Sequence, residues 1–168
     1  MFKRILHGLV LLAFAVVLLF GTASPAAAAG IIYVDDSAVG GNNGSSWADA
    51  YTSLQSALAA AVSGDQVWVA AGTYKPTTDT IRTKSFHLET GVAIYGGFAG
   101  GELTLGERNP TTNVTVLSGD IGVVSDTSAN SYHVVNGSST ISSAILDGFT
   151  ITDGNAAAPA SSGGGIYI

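Results

Sequence analysis

Oxygen-bearing side chains in the second half of the chain are the residues best suited to chemistry. Asp120, Asp147 and Asp153 lie beside short apolar segments, and Asn155 adds another oxygen donor. Calcium takes roughly six to eight hard oxygen ligands, so these residues are candidate Ca²⁺ ligands. Each also lies beside a glycine or within a turn, where Asp and Asn hydrogen-bond their own backbone. The pattern favours this turn interpretation, and the sequence contains no EF-hand loop pattern.

Basic residues could act as proton-abstracting groups. Downstream of residue 29 they are Lys75, Arg82, Lys84 and Arg108, all in or near predicted loops. A catalytic base needs a pKa lowered by burial or by a neighbouring cation, and loop residues of an acidic protein seldom meet that requirement. The sequence therefore leaves the catalytic residues unassigned.

The remaining chemical candidates are an acidic pair and two histidines. Asp35 and Asp36 are adjacent, and adjacent strand residues point to opposite faces, so we expect them to end the first strand rather than to form a hydrolytic pair. His87 and His133 have no neighbouring partner at metal-ligand spacing, so zinc is unsupported. Trp68 lies within an apolar segment and is predicted to be a core residue.

Short segments of β-branched and aromatic residues must position these side chains. Four of them begin at Val67, Val92, Val114 and Val134, which lie 25, 22 and 20 positions apart. Repetition at this spacing indicates a solenoid of stacked coils, with glycines at the bends. An antiparallel sandwich is the competing architecture, but its turns come about every 8 to 12 residues. All the predicted strand segments are 31–34, 67–69, 92–95, 114–117, 134–135, 144–146, 149–151 and 166–168.

One helix is predicted downstream of the first strand. Thr52 and Gln55 have the spacing of a capping box, and Gly64 is placed to end the helix. The predicted apolar face consists of Leu54, Ala57, Leu58 and Ala61.

The first 29 residues have the order of a secretory signal peptide. Lys3 and Arg4 precede an apolar run, Leu9 to Phe20, and small residues follow, with cleavage expected after Ala29. The run is shorter than the about 20 residues of a membrane span, so a retained anchor is disfavoured. Residues 30–168 are predicted to form a single secreted or cell-surface domain with no membrane span.

The predicted mature chain is acidic and lacks cysteine. It keeps four basic residues and all twelve acidic ones, so its net charge is −8. Such a chain repels phosphate backbones and anionic lipid, which disfavours nucleic acid as a partner. Without disulfides, packing and backbone pairing must supply its stability.

Several motifs occur in an order known from one group of proteins. The motifs are Tyr33–Asp35, Gly44–Ala50, Leu54–Leu58, Val67–Tyr74, Tyr95–Phe98, Leu117–Asp120, Leu146–Ile151 and Gly163–Tyr167. With them, the chain resembles the N-terminal part of bacterial right-handed parallel β-helix proteins with the pectin lyase-like fold. The resemblance implies an all-β solenoid with a capping α-helix at its N-terminal end. Because Ile166–Ile168 is an apolar strand at the last residue, the chain is predicted to be a fragment, truncated at the C-terminal end.

The resemblance implies two classes of function. The first is a secreted or cell-surface β-helix protein with a binding, adhesive or structural role toward polysaccharide or other surface ligands, with no cofactor. The alternative is a pectate-type polysaccharide lyase or a glycoside hydrolase whose catalytic coils follow residue 168. The lyase would use Ca²⁺, for which Asp120, Asp147 and Asp153 are the candidate ligands. Fold analogy does not choose between them.

Overall fold

The computed structural model describes residues 29–138, 143–157 and 162–168. The predicted signal peptide lies outside the described residues apart from Ala29. The described part contains one α-helix, α1 (Leu54–Ala60), and two short 3₁₀ turns, Leu105–Glu107 and Thr127–Ala129. Its strands are β1 (Ile31–Val34), β2 (Gln66–Ala70), β3 (Gly72–Tyr74), β4 (Phe86–His87), β5 (Ala93–Phe98), β6 (Thr115–Ser118), β7 (Val135–Asn136), β8 (Ile145–Asp147), β9 (Phe149–Thr152) and β10 (Ile166–Tyr167).

The strands form three short parallel sheets. The first sheet has the order β1-β2-β5-β8, the second β3-β6-β9 and the third β4-β7-β10. Every strand pair in the described residues is parallel. Strands that follow one another in the sequence mostly belong to different sheets.

The predicted right-handed parallel β-helix with a capping helix is wrong as the description of this fold. Of the four segments that defined the repeat, only the first two stack on one another. Val67 lies in β2 and Val92 directly precedes β5, and both strands belong to the first sheet. Val114 precedes β6 of the second sheet, and Val134 precedes β7 of the third. Residues 29–138, 143–157 and 162–168 instead form three separate sheets and one α-helix. The spacing was misleading because β3 and β4, the partners of β6 and β7, contain no two adjacent apolar residues and so gave no strand signal.

Side chains from all three sheets and from α1 meet in one core. Its buried members are Val34, Leu54, Ala57, Leu58, Val67, Val69, Tyr74, Phe86, Val92, Ile94, Leu117, Val134 and Val135. The helix contacts β1, β2 and β4, and it buries three of the four residues predicted for its apolar face. Burial of this face, rather than capping, therefore holds the helix in place.

The predicted caps of the helix are not formed. Ser53 occupies the N-cap without a side-chain hydrogen bond, and Ala61 occupies the C-cap. The Thr52 backbone N–H donates to Asn42 Oδ1, and the Gln55 side chain donates to the Ser85 carbonyl. The backbone N–H and the side chain that a capping box would use are therefore hydrogen-bonded to residues outside the helix.

A second cluster of aromatic rings lies beside the first sheet. Trp68 is 3% exposed, which confirms its prediction as a buried residue. It stacks on Phe98 at 4.7 Å between ring centroids and meets Tyr33 edge-on at 5.9 Å. Trp47 contacts Tyr33 and Phe98, and its indole N–H donates to the Glu102 carbonyl. These ring contacts and this hydrogen bond hold the loops at residues 35–50 and 99–102 against the sheet.

Candidate functional site

A pocket of about 230 Å³ lies where three parts of the chain meet. These parts are the turn after β1, the start of α1, and β3 with the loop that follows it. Hydroxyl groups, one carboxylate and one ammonium group surround two buried side chains, Leu54 and Tyr74. We call it the β1–β3 pocket; its lining residues are Asp36, Thr52, Ser53, Leu54, Thr73, Tyr74, Lys75 and Thr78.

Tyr74 forms a neutral wall of the β1–β3 pocket. Its side chain is 3% exposed and its hydroxyl donates to the Ala70 carbonyl at 3.2 Å. Burial raises the pKa of the phenol well above its usual range, and the negative charges of Asp36 and Asp35 raise it further. Because its proton is engaged inside the protein, Tyr74 contributes shape rather than charge to the pocket.

Asp36 supplies the carboxylate of the pocket and lies against Gly72 of β3. A Cβ atom at position 72 would lie 3.0 Å from Asp36 Oδ2 and 3.1 Å from Oδ1. Any side chain at this position would therefore displace the carboxylate. Asp35 has a different role, since it accepts hydrogen bonds from the backbone and hydroxyl of Ser37. The acidic pair follows the last residue of β1, Val34, as expected.

Lys75 supplies the ammonium group and faces one of the predicted site residues. Its Nζ lies 4.0 Å from Asp120 Oδ2, and the Asp120 side chain is only 16% exposed. The other oxygen, Asp120 Oδ1, is buried without a hydrogen-bond partner. Lys75 is therefore the main neutralising group that the structure places beside this carboxylate.

The structure brings Asp120 and Asp153 together but not Asp147. The Ser118 hydroxyl donates to Asp153 Oδ2 at 3.0 Å and accepts from the Asp120 backbone N–H at 3.2 Å. Asp153 directly follows β9, whereas Asp147 ends β8 in another sheet. The Asn155 side chain donates to the Thr127 carbonyl. The side chains of Asp153 and Asn155 thus bond to segments distant in the sequence, not to their own turns as the sequence interpretation expected.

These residues do not fit a calcium ion. Two carboxylates joined through Ser118 supply too few of the roughly six to eight oxygens that calcium requires. The ammonium group of Lys75 beside Asp120 would also oppose a cation. No group of three or more His, Cys, Asp or Glu side chains in the described residues is arranged to hold a metal ion.

Asp147 forms an ion pair with Arg108 instead. The Arg108 guanidinium also donates to the carbonyls of Gly96 and Asp147 and lies over the Tyr95 ring, 5.1 Å from its centroid. Asp147 is 52% exposed, whereas Arg108 is 17% exposed. Arg108 is thus tied into the fold and joins β5 to β8.

The other basic and imidazole groups do not converge on the β1–β3 pocket. Arg82 donates to the carbonyls of Asn130 and Asn155 and lies over the Tyr132 ring. Lys84 is exposed in the loop before β4. His87 lines a separate pocket of about 170 Å³ beside α1, together with Gln55, Leu58, Ala59 and Glu89.

His133 stacks on Tyr167 of β10, and its Nδ1 lies 2.9 Å from the Gly163 carbonyl oxygen. Its role is to join the third sheet to the segment before β10. Neither histidine lies in a metal-ligand group of the described residues.

Comparisons with family models, with curated proteins and with solved structures found no match to this chain. Across the described ranges, no helix is long and apolar enough to cross a membrane.

Most residues of the β1–β3 pocket were missed by sequence reasoning. Thr52 was interpreted as part of a helix cap, and Asp36 only as the end of a strand. The available signal was the density of hydroxyl residues after Gly72, namely Thr73, Thr77 and Thr78. These hydroxyl residues indicate a pocket only when the structure shows that α1 begins beside β3.

Proposed function

We propose that this chain is a secreted or cell-surface protein that binds carbohydrate-type ligands in the β1–β3 pocket. The observation that carries the proposal is the composition of that pocket. Hydroxyl groups, a carboxylate and an ammonium group surround the buried side chains of Leu54 and Tyr74. Sugars present hydroxyl groups around an apolar ring face, and small-molecule sites combine apolar walls with a few placed polar groups.

The acidic composition of the chain supports the same class of ligand. The net charge of −8 expected for residues 30–168 disfavours polyanions such as nucleic acid. The signal-peptide pattern supports export, because it combines a short basic start, an apolar run and small residues before Gly30. N-terminal sequencing of exported material tests this part: the first residue should be Gly30, within about two positions, and an intact Met1 would contradict export by cleavage.

Calorimetric titration of the purified chain with neutral and charged oligosaccharides tests the binding role. Thr73 lies on the pocket wall, and a bulky side chain there should fill the pocket. We expect Thr73→Trp to weaken binding by about tenfold or more.

Thr150 provides a matched control for this substitution. Thr73 pairs with Val116, and Val116 pairs with Thr150, so the two exposed threonines occupy one ladder of the second sheet, two strands apart. Thr150→Trp should leave binding unchanged. Absence of binding to every sugar tested, or equal binding by wild type and Thr73→Trp, would refute the proposed function.

A further inference from the structure

Carboxylates outnumber ammonium groups around the β1–β3 pocket. Asp36 lines the pocket, and the negative charge of Asp35, its neighbour in the sequence, also acts on the phenol of Tyr74. Lys75 also lines the pocket, but Asp120 Oδ2 lies 4.0 Å from its Nζ. Among the described residues, these charged groups are three carboxylates and one ammonium group. The field in the pocket is therefore negative.

Two features keep the carboxylate of Asp36 available to a ligand. Gly72 gives it room, because the oxygens would lie only 3.0–3.1 Å from a Cβ atom at that position. Tyr74 does not donate to it, because the phenol proton goes to the Ala70 carbonyl. Lys75 is drawn toward Asp120, whose side chain is the less exposed of the two. Asp36 is thus left as the acceptor for a cationic ligand group.

We propose that the β1–β3 pocket selects sugar units that carry a protonated amino group, such as glucosamine, over neutral sugars, and that it rejects uronates. This inference rests on the proposed function and adds the charge class of the ligand. A protonated amino group would donate hydrogen bonds to the Asp36 carboxylate, whereas a uronate would bring a further negative charge beside three carboxylates. The preference runs opposite to that of a pectate-type lyase.

Three trisaccharides of similar size test the inference by calorimetry: a glucosamine trimer, a glucose trimer and a galacturonate trimer. We expect the glucosamine trimer to bind about twofold to fivefold more tightly than the glucose trimer, as for one partly exposed charge pair. The galacturonate trimer should bind more weakly than both. The preference should shrink as the salt concentration rises, because salt screens exposed charges.

Variants separate the charge of Asp36 from its position. Asp36→Asn should abolish the preference for the glucosamine trimer over the glucose trimer. Gly72→Ala keeps the charge but displaces the carboxylate, so it should reduce the preference. Asp126→Asn removes the same charge from an exposed 3₁₀ cap, and Asn can replace it as a cap, so the preference should persist. Urea unfolding of each variant verifies that it is folded.

The outcomes distinguish this inference from the proposed function. Equal or tighter binding of the glucose or galacturonate trimer by wild type would overturn the inference and leave carbohydrate binding intact. The same follows if Asp36→Asn keeps the preference. Absence of binding to all three trisaccharides would overturn both.

Discussion

Arg108 shows how one side chain joins segments that are distant in the sequence. It donates to the Gly96 carbonyl in β5 and to the Asp147 carbonyl in β8, and it covers the Tyr95 ring. In the sequence it was only a loop cation, because its partners lie on two separate strands. Residue types alone could not predict that this guanidinium would be engaged in the fold.

Replacement of Arg108 by Gln should destabilise the protein. The variant loses charged hydrogen bonds to backbone carbonyls, and we expect a loss of about 1–3 kcal/mol in the free energy of unfolding, measured in urea. Asp147→Asn is the matched control, because the exposed ion pair alone contributes less than about 1 kcal/mol. Equal losses in the two variants would show that the ion pair, not the carbonyl contacts, is the important interaction.

Glu102 should make stability depend on pH in the acidic range. Partial burial raises the pKa of Glu102, but donation from the backbone N–H groups of Ala99, Gly101 and Gly100 outweighs it, so the net pKa is lowered. Because the pKa is lower in the folded state, the ionised carboxylate stabilises the protein at pH values above the ordinary pKa of Glu, about 4.3. This stabilisation is lost as the pH falls through the pKa of the folded state.

Urea unfolding of wild type and Glu102→Gln between pH 6 and pH 3 measures this effect. The stability advantage of wild type should be greatest at pH 6 and should shrink toward pH 3. An advantage that stays constant over this range would contradict the assigned hydrogen bonds.

At the scale of elements, sequence reasoning found the strands that carry apolar segments and missed β3 and β4. The predicted segments overlap the eight other strands, and their ends agree to within one residue except at β5, which continues three residues further, to Phe98. Gly72–Tyr74 and Phe86–His87 gave no such signal, because neither contains two adjacent apolar residues. Without these two strands, β2, β5, β6 and β7 were wrongly interpreted as one stacked repeat. Pairing is set by three-dimensional packing, which the spacing of apolar segments does not report.

The loop that carries Trp47 should be the most important stabilising element outside the main core. Trp47→Ala removes ring contacts with Tyr33 and Phe98 and the hydrogen bond to the Glu102 carbonyl. We expect a loss of about 2–3 kcal/mol in the free energy of unfolding, at the lower end of values for buried aromatic residues.

Trp68 reports on the same change. The chain contains two tryptophans, so Trp68 is the one that remains in Trp47→Ala. Its fluorescence should shift to longer wavelength in Trp47→Ala as water reaches the ring. Val123→Ala, at a side chain that is 71% exposed, is the control and should change stability by less than about 0.5 kcal/mol. A loss no greater than that of the control would show that the loop is not fastened through Trp47.

At the scale of the whole molecule, the sheets and the helix of the described part bring residues of separate segments to one pocket. Asp36 follows β1, Leu54 begins α1, and Lys75 follows β3, so these residues become neighbours only when the first and second sheets form. The sequence could predict an acidic, cysteine-free chain rich in short strands. It could not predict this pocket, because each of its segments has an ordinary interpretation as a cap, a turn or a loop.

Residue-by-residue NMR titration with the glucosamine trimer tests the central claim most directly, because it locates the ligand. Backbone amide shifts should change at Asp36, Ser53, Thr73 and Lys75 and should saturate together with the calorimetric binding curve. Amides around Trp47 and His87 should not change. Saturable changes that are confined to another surface, with the β1–β3 pocket unaffected, would contradict the account.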